Sequence, residues 1–181
     1  MNTKEIRENI NEYLDAKIQE AYYGEKIKEV AQKIETKLYS LFFPLENPKL
    51  SDIDYWQGEI RFVYPDSDET VPLSNYKEWG QEEKNLIKPA LIEVLLFFKL
   101  RKEYLKWCSK AKTLEPAFKY ATLQKPENFN QRNPEPRDFL HLMIGCVLGN
   151  KKSDFEIAKK DLEGMSDEEL LKGWNSTYYG H

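Results

Sequence analysis

The chain has 181 residues, of which 40% are hydrophobic, 13% aromatic and 32% charged. That composition excludes intrinsic disorder, and the length allows a core that needs neither disulfides nor a structural metal. A net charge of −4, from 27 basic and 31 acidic residues, excludes wholesale attraction to nucleic acid or to an anionic membrane.

In chain order, the pattern predicts one mainly α domain over residues 1–181. It reads as a compact helical bundle of five to seven helices with a small β-hairpin insertion within 44–80. Ile6, Ile10, Leu14, Ile18 and Ala21 recur at helical spacing, with Thr3 as the candidate N-cap. A second ladder runs through Ile27, Val30, Ala31, Ile34, Leu38 and Leu41, out of phase with the first. The phase change points to a turn near Tyr22-Tyr23-Gly24, with Gly24 ending the first helix. One kinked helix is the alternative. Pro44 stops the second ladder.

Within 44–80, Ile60, Phe62 and Tyr64 alternate on one face. The stretch Glu69–Leu73 can return along them across Pro65–Asp68, with Pro72 confining that strand to an edge. Residues 81–112 carry the longest helical signal, with Pro89 suited to a first turn. Residues 113–135 are irregular and contain Pro116, Pro126 and Pro134; a loop that long tends to be functional or pinned down. The segment from Pro136 to Gly149 is apolar nearly all round, as a central buried helix is. Two short helices follow, each with a capping box and a closing glycine: Ser153 with Glu156 to Gly164, and Ser166 with Glu169 to Gly173.

The stretch from Ala90 to Lys112 starts apolar and ends basic. Its apolar run is shorter than the roughly 20 residues a membrane span requires, and Glu93 and Lys99 interrupt it. Wound at about 100° per residue, its first half presents apolar side chains in nearly every direction, which predicts burial all round. In the second half Leu100, Tyr104, Leu105, Trp107, Cys108 and Ala111 share one arc, while Lys99, Lys102, Lys106 and Lys110 line another. Arg101 falls within the apolar arc and requires a carboxylate partner or a route to the rim. Residues 81–112 hold eight basic and four acidic residues, a cationic segment on an acidic molecule.

The lysine row suits phosphates or an acidic partner, although solvated surface is the commoner fate of such a row. The loop adds Lys119, Lys125, Arg132 and Arg137 around Tyr120 and Phe129, which are ingredients for stacking on unpaired bases. Trp174, Tyr178 and Tyr179 near the C-terminus either dock on the body or meet a protein partner. His141 is the one internal histidine, one helical turn after Arg137, and is read as a core residue first. Asp66, Asp68 and Glu69 form only a fragment of a calcium loop, and Glu82-Glu83-Lys84 opens a helix where a nuclease would need a strand. No phosphate-cradling glycine motif occurs.

No catalytic residue, metal or cofactor is assigned. Cys108 and Cys146 lack CxxC spacing, and no signal-peptide pattern opens the chain, so the expected compartment is the cytoplasm. These features favour a non-catalytic interaction protein, a subunit, adaptor or inhibitor of a larger assembly, with a protein partner and no membrane. The alternative is a helical nucleic-acid-binding subunit that meets phosphates through the lysine row and the aromatic-basic loop. An enzyme built around Arg137 and His141 comes third.

Overall fold

The computed structural model describes residues 2–42, 52–65, 67–114 and 151–171. The fold is mainly helical with a small three-stranded antiparallel sheet. The chain groups into two compact units, residues 1–21 with 106–181 and residues 22–105.

Helix α1 (Thr3–Phe42) runs without interruption through Tyr22-Tyr23-Gly24, which overturns the expected helical hairpin. The phase change is nonetheless real. Ile6, Ile10 and Leu14 bury in one hydrophobic cluster, and Ile27, Val30, Ile34 and Leu38 bury in another. Two cores, one served by each part of a single helix, replace the turn. Gly24 serves close approach instead of termination: its carbonyl accepts a hydrogen bond from the Tyr55 hydroxyl at 2.7 Å, and an added Cβ would lie 3.2 Å from that oxygen. The N-cap is Asn2, one residue before the expected Thr3. Its Oδ1 accepts the Glu5 N–H at 2.9 Å, while a Glu5 carboxylate oxygen accepts the Asn2 N–H at 3.0 Å.

In the unit formed by residues 1–21 and 106–181, the first half of α1 packs with α4 (Lys152–Gly164) through Phe155, Ala158 and Leu162. Arg7 supplies the polar tie. Its guanidinium donates to the Leu162 carbonyl (2.6 Å), which also accepts the Met165 N–H, and to the Met165 carbonyl (2.8 Å) at the end of α4, and reaches Asp167 at 2.9 Å. That contact holds the Asp167 carboxyl below its ordinary range. The capping box expected at Ser153 and Glu156 does not form. The N-cap lies two residues earlier, at Lys151, whose N–H is accepted by Asp154 at 3.3 Å. The box at Ser166 and Glu169 does form, with the carboxylate accepting the Ser166 N–H at 2.9 Å and the Ser166 hydroxyl accepting the Glu169 N–H at 3.2 Å.

In the unit of residues 22–105, strands β1 (Asp52–Trp56), β2 (Glu59–Val63) and β3 (Thr70–Pro72) are ordered β1-β2-β3. The expected pairing of β2 with the strand containing Pro72 is present, with Phe62 opposite Val71. The hairpin is extended by β1, which the sequence reading passed over. Gln57 (φ 47°) and Gly58 (φ 74°) both adopt positive φ, the requirement of the tight turn whose twist matches two paired strands. Ile60 and Phe62 face inward with Ile53, Tyr55 and Val71, and Trp79 meets Phe62 edge-on at 5.3 Å. After 3-10 turns around the short helix α2 (Gln81–Ile87), helix α3 (Leu91–Leu114) sends Val94 and Phe97 into this core.

Candidate protein-docking face

Helix α3 has two sides. Ala90, Val94 and Phe97 are fully buried, and Leu100 and Tyr104 pack partly against the same core. Two polar ties fix this side. Lys37 on α1 pairs with Glu93 at 2.7 Å and holds its carboxyl below the usual carboxylate range; Arg101 pairs with Glu59 on β2 at 3.2 Å. Glu59 is buried, and its Oε1 also accepts the backbone N–H of Ser74 at 3.1 Å. The carboxylate that Arg101 requires is therefore supplied by the sheet.

The other side of α3 is wet. Lys99, Lys102, Lys106 and Lys110 are all exposed, as their spacing predicts. Lys106 and Lys110 each lie 5.4 Å from the ring centroid of Trp107, where an ammonium is attracted to the indole face.

The apolar first half departs from expectation. Leu91, Ile92, Leu95 and Leu96 are exposed, Ile92 to 75% and Leu95 to 63%, so the described residues do not surround that half. Of the side chains of α3 in this stretch, Val94 and Phe97 are fully buried in the adjacent core. At about 100° per residue, the four exposed apolar residues and Lys99 and Lys102 of the same unit fall within one arc of roughly 140°. They form a single face, apolar at the N-terminal end and cationic beyond it, with its ends about 17 Å apart at ~1.5 Å rise per residue. The sequence marks each half, but not that both halves look the same way.

The remaining candidate residues, Lys119, Lys125, Arg132, Arg137, His141, Trp174, Tyr178 and Tyr179, lie outside the described residues, as does the helix expected from Pro136 to Gly149; of the loop expected over 113–135, Thr113 and Leu114 belong to α3 and the rest lies outside the described residues. Glu82-Glu83-Lys84 does open a helix, α2. Among the described residues, no three acidic, histidine or cysteine side chains come together as a metal site, and no helix is long and apolar enough to cross a membrane. No family of known proteins matches this chain, nor does any curated protein or solved structure.

Proposed function

We propose that this chain is a non-catalytic interaction module that docks a protein partner on the exposed face of α3. The observation that carries the reading is the continuity of Leu91, Ile92, Leu95 and Leu96 with Lys99 and Lys102 on one side of a rigid helix. An apolar patch of this kind, bordered by charge, is the usual mark of an interaction surface. The occupant that fits is an amphipathic helix whose apolar residues lead into aspartates or glutamates, laid in a groove beside α3.

Charge argues against a second copy of the same face. Parallel pairing would set lysines against lysines, and antiparallel pairing would set lysines against leucines. A bilayer is also a poor fit, because a helix lying flat keeps its lysines on the polar side, and here they share the apolar arc. Phosphates alone would leave Ile92 and Leu95 unused. The reading includes a reducing, cytoplasmic setting, consistent with the half-buried Cys108 thiol.

The test uses the full chain and two variants, Ile92→Ser with Leu95→Ser, and Lys99→Glu with Lys102→Glu. A genuine partner captured from the native host is lost with both variants and released by salt, and its contact maps to an acidic amphipathic helix. Capture that survives either variant, or retention on anionic vesicles or heparin in place of a protein, rejects the proposal.

A further inference from the structure

A second concavity lies within the unit of residues 22–105 and is separate from the wet face of α3. It is open to solvent, has a volume of about 530 Å³ and is lined by Trp56, Glu59, Arg61, Thr70, Ser74 and Arg101, among others. That volume lies in the range of small-molecule sites, roughly 300–1,000 Å³. The strand pattern explains its chemistry. Ile60 and Phe62 turn inward to the core, so Glu59 and Arg61 alternate to the outer face of β2, flanked by Trp56 of β1 and Thr70 and Pro72 of β3.

Three features make this more than a polar dent. Trp56, at the end of the tight hairpin, is 59% exposed, an indole plane that no core has absorbed. Arg61 stands opposite Asp54 in the strand register, yet forms no ion pair with a described residue. Arg101 is fixed by Glu59, whose charge it offsets at 3.2 Å, and Glu59 is fixed by the Ser74 and Ile60 backbone N–H groups at 3.1 and 3.2 Å. The site thus carries Arg61, set opposite Asp54 without an ion pair to a described residue, a second guanidinium held by Glu59, hydroxyls from Thr70 and Ser74, and an aromatic platform. A guanidinium fork matches phosphate geometry, and an exposed indole stacks on a flat heterocycle.

The geometry points to a nucleotide site, with the base on Trp56 and the phosphate on Arg61, assisted by Arg101. The same chemistry is offered by a free mononucleotide and by one unit of a single-stranded chain.

Titration calorimetry with the full-length protein separates these sources, using adenosine monophosphate, a single-stranded hexa-adenylate and inorganic phosphate as probes. Trp56→Ala and Arg61→Gln both replace side chains outside the core, and circular dichroism confirms that each variant keeps its fold. Saturable binding of the mononucleotide, weakened about tenfold or more in each variant, supports the site with a free ligand. Binding of the hexa-adenylate alone, with the same two losses, supports it with a nucleic-acid ligand. The inference is overturned by phosphate binding as tightly as the nucleotide, by oligonucleotide binding lost only on Lys102→Glu with Lys106→Glu, or by no heat up to millimolar ligand. It is independent of the docking face: Ile92→Ser with Leu95→Ser leaves nucleotide binding unchanged.

Discussion

Gly58→Ala tests how the sheet is seated on α3. Gly58 adopts φ 74°, and a Cβ built on it runs into the ring of Tyr104. Two effects therefore add. A non-glycine residue in this conformation costs about 1 kcal/mol, and forcing a packed ring aside adds about 1–3 kcal/mol. The expected loss is about 2–4 kcal/mol, read as a lower urea midpoint with an unchanged slope. A double-mutant cycle separates the two effects. In a Tyr104→Leu background the obstructing ring is absent, so Gly58→Ala should cost only the backbone share, about 1 kcal/mol, leaving a coupling of about 1–3 kcal/mol. Equal losses in both backgrounds would show that the ring does not abut the turn. A loss under about 0.5 kcal/mol in the parent would refute the left-handed turn itself.

Arg7→Met removes three donated hydrogen bonds, to Leu162, Met165 and Asp167, from a largely covered guanidinium. A fall in stability of about 2–4 kcal/mol by thermal melting is expected, with Arg7→Lys recovering only part because one ammonium cannot reproduce the fork. Tyr55→Phe deletes the hydroxyl that donates to Gly24 and should cost about 0.5–1.5 kcal/mol in the urea midpoint; no change would mean water replaces the bond without loss. Glu93→Gln addresses pH. Lys37 lowers the folded carboxyl below its unfolded value, so its stabilisation is present above the ordinary carboxylate range and vanishes as pH falls through the folded value. The variant should be less stable than the parent at pH 7, with the gap closing toward pH 3; a gap constant with pH contradicts the assignment. Leu95→Ser should leave the urea midpoint within about 0.5 kcal/mol, since its side chain is largely exposed, and a larger loss would mean that it supports the fold.

What could be read in advance depended on whether a feature was local. The phase slip between Leu14 and Ile27 was visible, yet phase alone does not distinguish a turn from a helix that serves two cores. Gly24 biased the reading toward a turn, because a glycine that admits a tyrosine hydroxyl looks the same in sequence as one that ends a helix. The lysine row was legible, since exposure of a charged stripe follows from spacing. Strand β1 was available but overlooked: Asp52, Ile53, Asp54 and Tyr55 alternate, and Gln57-Gly58 is a two-residue turn. Arg101 announced its need for a carboxylate, while the identity of Glu59 required the sheet to be placed. The exposure of Ile92 and Leu95 could not be read at all. Burial is a property of neighbours, and an apolar surface all round predicts it only when enough neighbours exist.

That exposure bears on how a partner would bind. The helix that carries the docking face is fixed from behind, by Val94 and Phe97 in the core, by Lys37 on Glu93, and by Glu59 on Arg101. Under the proposed function, docking would order the side chains of Leu91, Ile92, Leu95 and Leu96 without having to fold α3, and would avoid the largest part of the entropic penalty of a helix that forms on contact. Fixation would also limit adaptation: with its backbone held, the proposed face on α3 would accept a partner whose apolar and acidic positions match its own spacing and reject one shifted by a single residue. An interface built this way would discriminate by register. Sliding the apolar positions of an acidic partner helix by one residue should weaken binding more than replacing any one of its acidic residues, a comparison that isothermal titration would decide.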